Sequence, residues 1–402
     1  MLTGKDTPLR FAVAASRDAR AAVAGRAIGR AARAGLGDCP ADLACLFLSS
    51  HYAERAKELS AAVREELGPR LLVGCTGEGV ISGAEEIEGA AAVTLWAARL
   101  PGARLTPVRP SFSQEESSDT LAVAGWPDHV GAGPEPPVFL LLADPFSTPV
   151  DYVLSLMAER SPGSTAIGGL AGGGHDLGEN RMLLNDQVYE GGMVGVAVSG
   201  PVRIRTVVSQ GCRPIGERYV VTKAERNVVY ELGGTPALNR LQAAFESLSE
   251  EERRMAHRAL HIGIVIDEQH NRFERGDFLV RNLVGADRKS GSVAIGDLIR
   301  EGQTVQFHVR DAQSASEDLH LLLAAEQSRQ RRPTRGALMF SCCGRGQGLF
   351  GRPHHDVTAV RERLGDIPVA GFFAQGEIGP VGGSNFLHGY TASVALFSEP
   401  DS

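Results

Sequence analysis

The chain has 402 residues, of which 43% are hydrophobic and 22% charged, so it is long enough for two domains with apolar cores. Its 41 basic and 48 acidic residues give a net charge of −7, which excludes the basic surface typical of nucleic-acid-binding proteins. The six cysteines show no CxxC spacing, the N-terminus has no signal-peptide pattern, and no apolar run reaches the roughly 20 residues of a membrane helix. We therefore expect a cytoplasmic protein that is not inserted in a membrane.

The first quarter of the chain alternates apolar runs, typical of buried strands, with segments of helical period. A strand is predicted at 10–15, followed by an Ala/Arg-rich helix to about Ala34, which Ser16 would cap. The next elements are a strand at 43–49, a helix at 52–67, a glycine-rich turn at 74–83 and a strand at 90–97. The order strand, helix, glycine turn, strand is the unit that recurs along the chain.

The same order returns twice. Within 138–200 an apolar strand leads to a longer glycine turn at 168–174, which lacks a glutamate, and then to a strand at 193–198. Within 336–397 a strand and a predicted helix at 354–365 lead to a third glycine turn and a closing strand. Repetition of this kind predicts one supersecondary unit that is used several times.

The pattern changes between the second and third copies. A Glu/Arg-rich helix is predicted at 237–259, and a helix at 315–330. Short alternating segments between them predict an antiparallel sheet, with strands at 262–267, 278–284, 293–296 and 303–310. We therefore expect two domains, 10–225 and 226–398. The predicted fold class is α/β, with two related domains whose mixed β-sheets are flanked by helices.

Two glutamates lie in glycine-rich turns at strand ends. Glu78 lies between two glycines in the first copy, and Glu377 follows Gly376 in the third. Glycine lets the backbone approach a ligand closely, and a carboxylate in such a turn can receive an ammonium group while the turn amides receive an anion. Either glutamate could instead bond to its own turn and fix the strand pairing.

Arg345 and the cysteines are further candidates. Arg345 lies between two glycines after a strand, where it could clamp a carboxylate through two parallel hydrogen bonds or form a surface salt bridge. Cys342 and Cys343 end that strand, so one is expected to face the core and the other a cleft. Cys75 and Thr76 occupy the first glycine turn, although a buried, inert thiol is the commoner fate of a cysteine.

These motifs resemble the FIST family, the F-box and intracellular signal-transduction proteins. The C-terminal resemblance rests on FSCCGRG at 340–346, Gly371-Phe372-Phe373, Gly376-Glu377-Ile378-Gly379, Asn385, His388 and Thr391. VGCTGEG at 73–79 resembles the N-terminal domain of the family, so the likeness spans nearly the whole chain. The resemblance implies a sensory protein that binds a small ligand such as an amino acid and acts through a signalling partner such as a histidine kinase.

The residues and the resemblance together predict a set of ligand-binding residues near the glycine turns, in one pocket shared by the two domains or in separate pockets. The expected members of this set are Glu377, Arg345, Asn385, His388, Cys342, Cys75, Thr76 and Glu78. Two alternatives stay open. One is a thiol-dependent hydrolase or transferase with Cys342 or Cys75 as nucleophile and His388 as base. The other is a haem-based gas sensor, as some bacterial members of the family are described, with one axial ligand among His51, His175 and His388; the sequence has no CxxCH motif.

Overall fold

The computed structural model describes residues 8–114, 121–127, 130, 135–250, 253, 260–268, 273 and 276–401. It confirms the α/β class, with mixed β-sheets and flanking helices. The described residues up to Val208, those of His320–Leu387 and those from Thr391 onward form a larger compact unit. Ser209–Leu319 and His388–Tyr390 form a smaller one. Both ends of the chain thus contribute to the larger unit, so this structural division does not follow the sequence boundary expected near residue 225.

Apart from a two-stranded sheet, the elements that precede the smaller unit belong to three sheets and their flanking helices. The strands are β1 Arg10–Ser16, β2 Leu43–Ser49, β3 Leu71–Gly77, β4 Gly79–Ser82, β5 Glu85–Glu88, β6 Val93–Arg99, β7 Arg104–Val108, β8 Ser111–Gln114, β9 Leu121–Ala124, β10 Val138–Ala143, β11 Thr165–Leu170, β12 Met182–Leu184, β13 Gln187–Tyr189, β14 Met193–Ser199 and β15 Arg203–Ser209. The helices are α1 Ala21–Gly35, a 3₁₀ helix Ser50–Arg55, α2 Ala56–Leu67 and α3 Val150–Arg160. Strands β8 and β9 form a separate two-stranded sheet.

Helix α1 begins later than its sequence pattern predicted. Strand β1 continues through Ser16, and Arg20 is the residue before the first helical turn. The Ser16 hydroxyl accepts a hydrogen bond from the Asp18 amide at 3.2 Å. The prediction that Ser16 caps the helix is therefore wrong, because the extended backbone ends four residues too early for its side chain to reach the helix amides.

The described strands of the smaller unit form a closed antiparallel barrel, and helix α4 Ala237–Glu246 lies in the same unit. Its elements are β16 Cys212–Glu225, β17 Val228–Leu232, β18 Thr235–Pro236, α4 Ala237–Glu246, β19 Leu260–Val265, β20 Phe278–Asp287, β21 Ser292–Ile295 and β22 Thr304–Arg310. Strand β16 pairs with both β17 and β22, which closes the order β16, β22, β19, β20, β21, β17. The predicted antiparallel sheet is confirmed. The predicted helix at 237–259 is confirmed as far as Glu246, and its end from 251 onward lies outside the described residues, apart from 253.

The remaining elements complete the three sheets. They are α5 Ala312–Arg329, β23 Gly336–Cys342, α6 Gly346–Phe350, α7 His355–Leu364, β24 Val369–Ala374, β25 Glu377–Val381, β26 Ser384–His388 and β27 Ala392–Ser398. Within the part of the chain that the structure describes, no helix is both long enough and apolar enough to cross a membrane.

The three sheets share one strand order. The first sheet is β1-β6-β2-β3-β12-β13, the second is β7-β14-β10-β11-β25-β26 and the third is β15-β27-β23-β24-β4-β5. In each sheet the two central strands are parallel, and the strand before them is antiparallel. Each parallel pair is joined through a helical connection, because parallel strands need a crossover rather than a tight turn. The recurrent sequence pattern therefore corresponds to a recurrent topology.

The last two strands of every sheet come from a different segment of the chain. Hairpin β4–β5 joins the third sheet through β24, hairpin β25–β26 joins the second through β11, and hairpin β12–β13 joins the first through β3. Each segment thus gives its hairpin to one neighbour and receives a hairpin from the other. The exchange links the three sheets into a ring.

The register of these pairings defines equivalent positions. Gly74, Gly168 and Gly371 share one position in the second parallel strand, where an added Cβ atom would lie 2.0, 1.8 and 1.7 Å from a carbonyl oxygen of the neighbouring strand. Only glycine fits there. The equivalent side chains of Phe47, Leu142 and Phe340 meet in one apolar core that draws on all three sheets.

Candidate functional site

The three glycine turns of the larger unit meet through backbone hydrogen bonds. These bonds run from Glu78 N to Phe373 O at 3.1 Å, from Gln375 N to Leu170 O at 3.2 Å and from Gly172 N to Thr76 O at 3.1 Å. Each turn is thus tied to a turn from another segment. Because a strand of each central parallel pair ends here, polar side chains that follow the strands are brought together.

Glu377 is the first residue of β25, and its side chain is fully buried. Its Oε2 accepts hydrogen bonds from the Thr391 amide at 3.0 Å and the Thr391 hydroxyl at 2.7 Å. Its Oε1 has no hydrogen-bond partner among the described residues. Burial raises the pKa of Glu377 well above its ordinary value, against the opposing effects of the Thr391 bonds and the positive charge of Arg345. The site therefore favours the neutral acid.

The other two sheets place apolar residues where Glu377 lies. Val80, Met182 and Glu377 each oppose the residue that follows the common glycine in the neighbouring sheet. Val80 and Met182 belong to the apolar core. The architecture thus accepts an apolar side chain at this position, and the carboxyl group is a departure confined to one of three equivalent places.

Arg345 lies directly beside this site, with 1% of its surface exposed. Its Nε and one terminal nitrogen donate to the two carboxylate oxygens of Asp356, at 2.6 and 2.9 Å. Ser341 Oγ (2.8 Å) and His355 Nδ1 (2.9 Å) also contact this carboxylate. Burial disfavours the charge of Asp356, but the guanidinium outweighs it and holds the pKa of Asp356 below its ordinary value. Arg345 does clamp a carboxylate with both hydrogen bonds, and that carboxylate is the chain's own.

The two adjacent cysteines differ in exposure, as strand alternation predicts. Cys342 is 6% exposed at the end of β23, and Cys343 is exposed. The Cys342 amide donates to the Thr391 carbonyl at 2.9 Å. The Cys342 thiol is close enough to Glu377 to contribute to the rise of its pKa. Cys342, Glu377 and Arg345 therefore form one buried cluster with Asp356 and Thr391.

The predicted residues of the first glycine turn have other surroundings. Cys75 lies in the apolar core, and burial raises its pKa well above the ordinary thiol value, which disfavours the nucleophilic thiolate. The buried Thr76 hydroxyl donates to Asn180 Oδ1 at 3.2 Å and accepts from the Arg181 amide at 3.1 Å. The Glu78 side chain is exposed. These three residues thus belong to the core, to a polar network of the second turn and to the surface, respectively.

Asn385 and His388 belong to strand β26. The Asn385 amide group uses both ends, accepting from Ala166 N at 2.7 Å and donating to Ser164 O at 2.9 Å, which fastens β26 alongside the second sheet. His388 is buried and is grouped with the smaller unit. Among the described residues, no group of three or more His, Cys, Asp or Glu side chains is arranged to hold a metal ion.

Sequence reasoning missed two buried acidic residues of this region. Asp356 lies at the start of the helix predicted at 354–365, where a carboxylate usually serves as a cap. The nearby Gly-Arg-Gly turn at 344–346 was the available signal that a buried arginine needs an acidic partner. Glu86, in β5, is 3% exposed and accepts a hydrogen bond from the Val357 amide at 2.8 Å. Burial, followed by the negative charge of Asp356, raises the pKa of Glu86 to about 7. No local signal marks Glu86, because its partners are 271 residues away in the sequence.

Comparison with known proteins agrees with the sequence motifs. A family model described as the FIST N domain matches residues 42–235, and one described as the FIST C domain matches residues 237–380. The chain is 41% identical over 361 residues to "Uncharacterized protein Rv0628c" of Mycobacterium tuberculosis, covering 90% of this chain and 92% of the relative. It is 40% identical over 385 residues to "Uncharacterized protein Mb0898c" of Mycobacterium bovis, covering 96% and 97%. Both matched family segments contribute strands to the larger unit.

Proposed function

This chain belongs to the FIST family, whose domains are associated with sensory roles in signal transduction, and on that premise we propose that it binds a small ligand at the buried cluster around Glu377. Occupancy would favour one conformation of the chain, and a separate signalling protein, such as a histidine kinase, would read that state. Such a shift requires that the ligand bind the two conformations with different affinity.

The observation that supports the proposal is the full burial of Glu377 with one carboxyl oxygen that lacks a hydrogen-bond partner among the described residues. A buried polar atom without a partner costs about 1–3 kcal/mol. The equivalent positions avoid this cost with Val80 and Met182. Natural proteins depart from local rules of this kind at functional sites, which supports a role in binding.

The charges of the cluster indicate what the ligand would offer. Arg345 is neutralised by Asp356, and Glu377 favours its neutral form, so the cluster carries little net charge. A ligand ammonium group beside Glu377 would favour the ionised carboxylate, so Glu377 would lose its proton on binding and Oε1 would accept a hydrogen bond from the ligand; an amine or amino acid supplies such a group. Arg345 would position the site rather than bind a ligand carboxylate.

A thermal-shift screen of amino acids, amines and haem tests the proposal. A ligand that binds only the folded state stabilises it by about 2.7 kcal/mol at a concentration of 100 times Kd, which gives a saturable rise in Tm. Glu377→Gln keeps an acceptor for Thr391 but removes the ionisable group, and we expect it to abolish the shift.

The matched control is Glu217→Gln, at an exposed glutamate of the smaller unit, which should keep the full shift. A saturable shift that survives Glu377→Gln would refute the proposed site. A Soret band after addition of haem would support the gas-sensor alternative, and turnover of a thioester or ester that Cys342→Ser abolishes would support the thiol enzyme.

A further inference from the structure

The exchanged hairpin β4–β5 brings two glutamates to the segment that carries Arg345. Glu86 N donates to His354 Nδ1 at 2.9 Å, and Glu86 Oε1 accepts from the Val357 amide at 2.8 Å. Glu88 Oε1 accepts from the Gln347 amide at 3.0 Å. The two side chains thus hold the beginnings of α6 and α7 from a hairpin that belongs to the N-terminal part of the chain.

Glu86 replaces a cap that α7 lacks. The residue before the helix, His354, has a left-handed backbone with φ of 62° and makes no side-chain cap bond. The first amides of a helix need acceptors from outside it, and Glu86 Oε1 supplies one whether the carboxyl group is ionised or protonated. The first turn of α7 also carries Asp356, which orients Arg345. The contact between Glu86 and α7, at Val357, therefore lies next to the residue that anchors Arg345.

The surroundings of Glu86 disfavour a negative charge on its side chain. Its Oε2 has no hydrogen-bond partner within the described residues, and the neighbouring charges are those of Asp356 and Glu88. His354 and His355 are the other titratable groups at this helix start. The Arg345 guanidinium donates hydrogen bonds to Asp356. When Glu86 is ionised, two buried carboxylates, those of Glu86 and Asp356, lie near each other and repel. When it is protonated, one carboxylate remains, and the charges balance.

We propose that Glu86 is a positioning residue for the Glu377 site, whose protonation fastens hairpin β4–β5 to helix α7 and whose ionisation loosens that attachment and the anchoring of Arg345. We call the contacts of Glu86 with His354 and Val357 the latch. The link to ligand binding rests on the proposed function, whereas the latch does not. The latch closes as pH falls through neutrality and loosens as pH rises.

Hydrogen exchange followed by mass spectrometry tests the latch without any ligand. For a carboxyl group with a pKa of about 7 in the closed state and 4.5 in the open state, the opening equilibrium rises about tenfold between pH 6 and pH 8. We expect the peptides covering β5 and the first turn of α7 to lose about tenfold protection over this range, after correction for intrinsic exchange. Glu86→Gln keeps the acceptor oxygen and should show no such loss.

The matched control is Glu85→Gln, on the same strand but exposed and paired with Arg17, which should retain the tenfold change. If Glu86→Gln does not fold, Glu86→Met removes the titrating group with a side chain of similar length, and the same flat pH dependence is expected. A tenfold loss that persists in either Glu86 variant, or that disappears in Glu85→Gln, would overturn the latch.

The positioning role has its own measurement. For an amine that passes the thermal screen, the affinity of the wild type relative to Glu86→Gln should fall between pH 6 and pH 8. A constant ratio, together with the expected exchange result, would mean that the latch is structural and does not serve the site. A failed ligand screen with a pH-dependent latch would refute the proposed function alone.

Discussion

Because the three sheets are equivalent, the hydrogen-bond acceptor used in the first sheet can be introduced into the third by mutation. In the first sheet the Ala92 amide donates to Ser49 Oγ at 3.0 Å. In the third sheet the equivalent amide, that of Thr391, donates instead to Glu377 Oε2, and Cys342 takes the place of Ser49. The double variant Glu377→Val/Cys342→Ser would therefore recreate the arrangement of the first sheet, where an apolar residue lies at the position of Glu377.

The expected free energies of unfolding follow from the hydrogen bonds. Glu377→Val removes an unpartnered buried oxygen but leaves the Thr391 amide without its acceptor, and these two effects are each about 1–3 kcal/mol and of opposite sign. We therefore expect the single variant to lie within about 1 kcal/mol of the wild type. Adding Cys342→Ser supplies a new acceptor for the amide, so the two substitutions should show a favourable coupling of about 1 kcal/mol.

A double-mutant cycle by urea denaturation measures this coupling. The two tryptophans, Trp96 and Trp126, are both buried in the larger unit, so their fluorescence reports the unfolding of that unit. Variants with equal m-values can be compared through their transition midpoints. Additivity within about 0.3 kcal/mol would refute the reasoning, because it would mean that the serine hydroxyl does not replace the carboxylate as acceptor for the Thr391 amide.

Two further predictions concern stability. Asp356→Asn breaks the buried ion pair with the guanidinium and should cost about 3–5 kcal/mol in urea denaturation, whereas Asp366→Asn, at an exposed ion pair, should cost less than about 1 kcal/mol; equal effects would contradict the assigned burial. Gly371→Ala would place a methyl group 1.7 Å from the Met339 carbonyl oxygen and should cost more than about 3 kcal/mol, whereas Gly348→Ala, in a helix and without neighbours within 4 Å, should gain about 0.5–1 kcal/mol. A tolerated Gly371→Ala, with an unchanged transition midpoint, would show that the strand backbone can shift.

The sequence predicted elements well and their pairing poorly. Apolar runs and helical periods located most strands and helices, because these depend on local burial patterns. The exchange of hairpins was not predictable, since β4 pairs with β24 some 290 residues away and no local signal specifies such a partner. For the same reason, no local signal indicated that both ends of the chain contribute to the larger unit.

The candidate site shows the same limit. Glycine framing pointed to Glu377, but it also equated Glu377 with Glu78, whereas the strand register makes Gln375 the counterpart of Glu78. The two glutamates therefore differ by two residues in position, and one is buried while the other is exposed. The buried partners Asp356 and Glu86 come from a helix start and a distant hairpin, so only the tertiary structure brings them to Arg345.

The ring of exchanged hairpins has a consequence for the order of synthesis. When a nascent chain has emerged as far as residue 235, hairpin β4–β5 has no β24 to join, and β11 has no β25. The edges of β4 and β11 then stay unpaired until the C-terminal segment is made, and unpaired strand edges can pair with another chain. The N-terminal family segment is thus not a free-standing folding unit: released alone it should trade hairpins with a second copy and form domain-swapped oligomers, while the complete chain closes the ring on itself.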